Sequence, residues 1–407
     1  MCIRDRRQTD RNFFTQGTFQ KSLSRRFDLQ ANVKYAYDYM NYVNPDTTLM
    51  LIDNTFKQQE VYASVASKYA VNRVWDIALS ADMQYNVLHS NMDGFVFPRR
   101  LTTLVAVATA LDLGKVKIQS SLLATWVRER IRSGNTAQED SAKAAPDKRE
   151  FTPAVFLSYK PFKRHDFNIR AFYKQIFRMP TFNDLYYTDI GNIALRPEFT
   201  HQYNLGMQYG KTFKRGWISR IDLQADAYYN EVTDKIVAVP KGNGQYRWMM
   251  MNLGYVEIRG IDASSTTEFR LPWDILLNLR LTYTYQKAQD FTKRKSDVLQ
   301  NLTYGGQIPY IPWHSGSVIA GIHWRSWQLN YSFIYVGERY HSSANIREDY
   351  EQPWYTHDMA LIKNFKVKDT NLRLALEVNN LLAQDYEVVL NYPMPKRNYK
   401  LSFTVEI

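Results

Sequence analysis

The stretch Phe27-Asp28-Leu29-Gln30-Ala31-Asn32-Val33-Lys34-Tyr35-Ala36-Tyr37-Asp38-Tyr39 alternates almost without a break. Successive side chains of a strand point to opposite faces. Phe27, Leu29, Ala31, Val33, Tyr35, Tyr37 and Tyr39 therefore share one side, and Asp28, Gln30, Asn32, Lys34, Ala36 and Asp38 share the other. One face is apolar and aromatic, the other wet. Ordinary strands average about five or six residues, whereas a tilted strand needs roughly 9–11 to cross a bilayer. Charges and amides at every second position would not survive in the core of a soluble sandwich, but they suit a hydrated barrel lumen.

The pattern recurs along the chain. Trp273, Ile275, Leu277, Leu279, Leu281, Tyr283 and Tyr285 oppose Asp274, Asn278, Arg280, Thr282, Thr284 and Gln286, and Leu401, Phe403, Val405 and Ile407 oppose Ser402, Thr404 and Glu406. Counted this way, the chain predicts seventeen strands, starting near residues 13, 27, 56, 74, 100, 115, 150, 166, 198, 217, 245, 273, 312, 327, 354, 370 and 398. Their connections alternate between short turns and long loops, the latter at 43–55, 89–99, 132–149, 177–197, 240–244, 290–311, 340–353 and 381–397. Tight periplasmic turns and large external loops characterise an outer-membrane barrel. The fold class read from the residues is thus all-β, a transmembrane antiparallel β-barrel.

Composition agrees. A length of 407 residues would ordinarily suggest two or three soluble domains, but the alternation argues for one continuous sheet. With 14% aromatic residues, 29 of them Tyr, and only 17 Gly and 14 Pro, disordered and collagen-like classes are excluded. The longest apolar window, residues 101–111, is too short for a transmembrane helix. The mean hydropathy of -0.46 is compatible with a barrel, whose signal is alternation and not a run. A single cysteine, Cys2, removes disulfide frameworks and Cys-based metal sites.

The net charge is +12, and the short turns alone carry sixteen Lys and Arg against Asp166 and Asp369. This excess is spread over one rim and not gathered into a stripe, so no nucleic-acid partner is expected. Solvated turn charges account for it, with attraction to anionic outer-membrane lipid as the sharper alternative. Catalytic patterns are absent from the seven scattered histidines, His89, His165, His201, His314, His323, His341 and His357, and no metal or cofactor site is expected. The chain does not read as an enzyme.

Between residues 171 and 206, Phe177-Arg178-Met179-Pro180-Thr181, Asp184-Leu185-Tyr186-Tyr187, Gly191-Asn192, Leu195-Arg196-Pro197-Glu198 and Tyr203-Asn204-Leu205-Gly206 resemble the barrel signature of TonB-dependent outer-membrane receptors. Asn380-Leu381-Leu382, Asp385-Tyr386-Glu387, Asn391-Tyr392-Pro393-Met394-Pro395 and Arg397-Asn398-Tyr399 resemble the closing loop and last strand of the same family. Phe177, Arg178, Pro180, Asn192, Leu195, Pro197, Glu198, Tyr386, Pro395 and Arg397 are expected to act as scaffolding. Pro180 and Pro197 stop strand pairing at the rim because proline has no ladder donor, and Arg178 and Glu198 supply charge at the loop base. Two departures from the family pattern stand out: Lys396, where many members carry Gly, and a terminal Ile407, where many outer-membrane barrels end in Phe.

The resemblance implies a barrel of about 22 strands around a plugged lumen, coupled through a TonB box to the inner-membrane proton gradient. On that expectation residues 8–407 are the C-terminal part of the barrel. Plug, TonB box and about five strands lie outside the chain, and residues 1–7 are a non-native leader without a signal peptide. The implied function is active transport of a large, scarce nutrient, a ferric siderophore or a corrinoid, across a Gram-negative outer membrane, with the TonB complex and the barrel assembly machinery as partners. A passive porin-type channel is the alternative. Candidate ligand-binding residues on external loops are Tyr186, Tyr187, Trp248, Met249, Tyr304, Tyr310, Tyr340, His341 and Trp354. Haem is disfavoured, because residues 178–198 contain no histidine.

Overall fold

The computed structural model describes residues 7–45, 52–133, 146–187, 191–240, 248–292, 303–368 and 370–406. In chain order the elements are β1 (Arg7–Ser24), β2 (Phe27–Asn44), β3 (Ile52–Ala70), β4 (Trp75–Ser90), β5 (Val96–Asp112), β6 (Val116–Ser133), β7 (Lys148–Tyr159) and β8 (Asp166–Arg178). The short helix α1 (Phe182–Tyr186) follows, then β9 (Glu198–Thr212), β10 (Ile218–Pro240), β11 (Trp248–Leu271), β12 (Ile275–Asp290), β13 (His314–Trp324) and β14 (Trp327–Val336). The chain ends with β15 (Arg339–Tyr340), β16 (Tyr350–Glu351), β17 (Trp354–Val367), β18 (Thr370–Asn379), β19 (Glu387–Val389), β20 (Tyr392–Pro393) and β21 (Asn398–Glu406). Seventeen of these strands belong to one sheet, while β15 with β16 and β19 with β20 form small two-stranded pieces.

Two compact units divide the chain, residues 1–156 with 174–196 and residues 157–173 with 197–407. In the first, β1 to β6 pair antiparallel in chain order. The register puts Tyr35 beside Val61, Val61 beside Tyr85 and Tyr85 beside Leu101, so the apolar face predicted for β2 continues across its neighbours. That face is not covered by protein. Leu79, Met83 and Val107 are each about half exposed, where a soluble core would bury them. The opposite face is a polar lattice. Lys34 Nζ donates to Glu60 at 3.1 Å, Gln84 to the other oxygen of Glu60 at 2.6 Å, Asn12 to Asp38 at 2.6 Å and Asn32 to Ser64 at 3.0 Å.

The second unit repeats this logic. Strands β9 to β14, β17, β18 and β21 pair antiparallel, each with the next. Leu205 and Met207 lie on the uncovered apolar face. On the wet face Arg170 clasps Asp226 at 2.8 Å and Thr284 donates to Asp262 at 2.7 Å. An uncovered apolar face opposite a hydrogen-bonded polar one is the pattern of a lipid-facing sheet with a hydrated interior.

The seventeen predicted strands are present, with two instructive differences. Trp273 and Asp274 do not extend β12: with φ of 60° and 58° they form the turn after Pro272, and the strand opens at Ile275. Where they are described, long connections also carry structure of their own. β10 and β11 run to 23 and 24 residues, about twice what a bilayer requires. Their upper ends surround a core of Val232, Leu253, Val256, Ile258, Ala288 and Ile308, packed by Tyr228, Val237, Met251 and Ile311.

Candidate functional site

In the first unit the site is built on the chain that follows β8. Pro180 ends the ladder, and Thr181 then caps α1 reciprocally with Asp184: the Thr181 hydroxyl accepts from the Asp184 amide at 3.1 Å, and Asp184 accepts from the Thr181 amide at 2.8 Å. Arg178 holds the same Asp184 carboxylate at 3.3 Å. A five-residue helix has little stability of its own, so packing must retain it, and Phe182, Leu185 and Tyr186 are all buried. Beneath them Arg100 of β5 and Glu129 of β6 form a buried ion pair with contacts of 2.6 and 2.7 Å. Arg100 also donates to the Pro180 carbonyl at 2.7 Å and lies 4.8 Å from the centre of the Phe182 ring. The Tyr186 hydroxyl donates to Glu129 at 2.5 Å. Burial, and next the Glu129 charge, push the Tyr186 phenol well above its ordinary range. Tyr187 packs on Phe56 at 5.3 Å, and burial raises its phenol as well.

In the second unit the connections are held by amides. Gln307 is fully buried: its Oε1 accepts from the Ala288 amide at 2.9 Å, and its Nε2 donates to the carbonyls of Gln286 and Ile311, both at 3.2 Å. Asn345 exchanges two bonds with the Gln307 backbone, and the Tyr310 amide donates to the Tyr340 carbonyl at 2.7 Å. His341 sits between Asp349 at 3.3 Å and Glu351 at 3.2 Å. Arg339, also buried, donates to the carbonyls of Gln352, Glu387 and Val388. Burial lowers its pKa and raises that of Tyr310.

The candidate ligand residues fall into distinct settings. Tyr310, Tyr340 and His341 are brought together. Trp354 stacks on Tyr386 at 4.6 Å, Tyr304 is half exposed beside Phe291, and Met249 pairs with Val239. Tyr186 and Tyr187 belong to the first unit, with Tyr186 facing inward to Glu129. Trp248 opens β11, but its side chain lies outside the described residues.

The residues expected to act as scaffolding, and their neighbours, make the following contacts. Asn192 accepts from the Ala194 amide at 2.9 Å, and Leu195 and Pro197 are buried. Phe177 is partly buried near the end of β8, and Glu198 accepts from the Ile236 amide at 3.0 Å. Asn380 adopts a left-handed backbone with φ of 51°, while its side chain bonds Gln384 and the Pro395 carbonyl. Arg397 donates to the Leu381 carbonyl at 2.9 Å. Lys396 is not in a left-handed conformation and pairs with Asp385 at 3.0 Å, so the turn accommodates it. Ile407 lies outside the described residues.

Sequence reading missed Arg100, Glu129, Gln307, Arg339 and Asn345. A charged residue at the loop end of a strand is the only signal for the first two.

A family model described as "TonB dependent receptor-like, beta-barrel" matches residues 3–381. The vitamin B12 transporter BtuB of Photobacterium profundum is 27% identical over 237 residues, 56% of this chain and 33% of that protein. Among solved structures, the siderophore receptor PiuA from Acinetobacter baumannii superposes with a TM-score of 0.69 at 14% identity, over 98% of this chain and 63% of the other. The unliganded ferric citrate transporter FecA gives 0.70 at 12% identity, over 97% and 61%. The chain therefore spans a third of the curated relative and less than two thirds of the solved structures. At these identities the superpositions establish the fold, and the family match establishes kinship: the chain belongs to the TonB-dependent receptor-like β-barrel family.

Proposed function

We propose that the chain is the barrel portion of an energy-coupled outer-membrane transporter for a bulky metal chelate, either a corrinoid or a ferric siderophore. It works with TonB through parts of the receptor beyond these residues, and it has no catalytic role. One observation carries the reading. The described parts of the long connections at 181–187, 303–311 and 339–351 are compact, aromatic-rich and pinned to the strand ends, as a capture surface requires. Tyr304, Tyr310, Tyr340, His341 and Trp354 present amphipathic side chains that lose little rotamer entropy on binding. The corrinoid option is supported by the relative named as a vitamin B12 transporter, and the siderophore option by the solved receptors.

The test uses the complete receptor on cells. Deleting residues 293–307 should reduce binding of cobalamin or of a ferric siderophore, normalised to receptor abundance in the outer membrane, with insertion intact. Shortening the turn at 161–165 should instead lower abundance by disturbing strand register. Unchanged normalised binding after the loop deletion contradicts the assignment.

A further inference from the structure

The hairpin of β15 and β16 is held by very little backbone. Its ladder has only the pairs Arg339 with Glu351 and Tyr340 with Tyr350, and a two-stranded hairpin alone is marginally stable in water. The His341 amide adds a bond to the Asp349 carbonyl at 2.9 Å, and Asn345 ties the intervening turn to the Gln307 backbone. Side chains must supply the rest.

His341, Asp349 and Glu351 are packed into this hairpin, their side chains 16%, 9% and 12% exposed. The imidazole lies between the two carboxylates, with Nδ1 3.2 Å from Glu351 and Nε2 3.3 Å from Asp349. A carboxylate only accepts, and a neutral imidazole carries one N–H, so a neutral ring turns a lone pair on one of the two. Only the imidazolium answers both. Among the described residues no other cationic side chain lies within 4.0 Å of either carboxylate. Arg339 faces Glu351 across the ladder, but its guanidinium donates to the carbonyls of Gln352, Glu387 and Val388. Tyr310 and Glu387 belong to the segments packed against the hairpin, and Glu338, Tyr340, Arg347, Glu348 and Tyr350 to the hairpin and its flank. Five carboxylates, Glu338, Glu348, Asp349, Glu351 and Glu387, thus stand with two arginines, and a charged His341 reduces that imbalance at its buried centre.

We propose that His341 is a proton-dependent clasp: its charged ring closes the 339–351 hairpin, and loss of the proton loosens it. Closure takes up a proton, so the closed form gives way as pH rises. The hairpin also carries Tyr340, so ligand capture weakens toward alkaline pH. That consequence rests on the proposed function, whereas the clasp itself does not.

The test reads the clasp without ligand. In the complete receptor, with other cysteines replaced by serine, a nitroxide on Ile346→Cys reports mobility of the hairpin tip by electron paramagnetic resonance; Ile346 is exposed and uncharged. The ratio of mobile to immobilised spectrum should rise about tenfold or more from about pH 5 to about pH 9. H341Q should abolish the rise. D349N/E351Q, in which a neutral ring meets no carboxylate, should abolish it while keeping the immobilised spectrum. An unchanged ratio across this range in the labelled receptor without further substitution overturns the clasp, as does a rise that persists in H341Q or in D349N/E351Q. A pH-dependent hairpin in a receptor that binds neither cobalamin nor a ferric siderophore would support the clasp and contradict the proposed function.

Discussion

Two sets of long connections are fastened to their strands in opposite ways. The α1 segment is held by a buried ion pair, Arg100 with Glu129, whose remaining capacity is taken by the Pro180 carbonyl and the Tyr186 hydroxyl. The segments around Gln307 and Asn345 are held by neutral amides that reproduce backbone ladder bonds. A buried ion pair adds little net stability but punishes the loss of either partner. A neutral amide network degrades in smaller steps. The first anchor is therefore expected to fail all at once and the second gradually.

Six variants test the contrast and the strand faces that support it, taken from the largest expected effect to the smallest. Glu129→Ala leaves Arg100 buried without its partner and should cost about 3–5 kcal/mol, seen as fast hydrogen exchange and protease cleavage across 179–187. The double change Arg100→Met with Glu129→Leu should recover most of that loss. Next, Leu279→Arg places a cation on the lipid face and should cost about 2–4 kcal/mol in urea unfolding from bilayers, while Asn278→Ser on the wet face should be nearly silent. Equal effects would reverse the face assignment. Gln307→Ala should cost about 1–3 kcal/mol and raise exchange at 303–311 and 339–351 only. Smallest is Lys396→Gly, expected within about 0.5 kcal/mol because its ion pair is exposed.

Alkali separates the anchors further. The Tyr186 phenol is raised by burial and by Glu129, so its contribution is complete below the ordinary tyrosine value of about 10. It is lost only as pH climbs through the higher folded-state value. Phenolate absorbance from Tyr186 should thus emerge later than that of an exposed tyrosine, and Tyr186→Phe should remove one tyrosine's share of the late component, which Tyr187 and Tyr310 also feed.

Strand faces were legible in the sequence because a two-residue period is a property of one strand alone. Even there, alternation carried Trp273 and Asp274 into β12, although Pro272 had ended the ladder. The anchors were not legible. Arg100 meets Glu129 only once the register of β5 on β6 is fixed, and Tyr186 reaches Glu129 from 57 residues away. Asn380 was flagged by family resemblance, yet its reason, a left-handed backbone closed by its own amide, lies in dihedral angles. Arg178 was expected to serve the loop base in general terms; the capping box it supports was hidden in Thr181 and Asp184.

Everything assigned to the long connections requires that they face the cell exterior. In the complete receptor, Tyr304→Cys on a long connection and Lys214→Cys in the short turn between β9 and β10 can each be exposed on intact cells to a membrane-impermeant maleimide. Tyr304→Cys should label fully, and Lys214→Cys should label only after the outer membrane is permeabilised. Labelling of Lys214→Cys on intact cells with protection of Tyr304→Cys would invert the barrel and remove the capture surface from the ligand's side of the membrane.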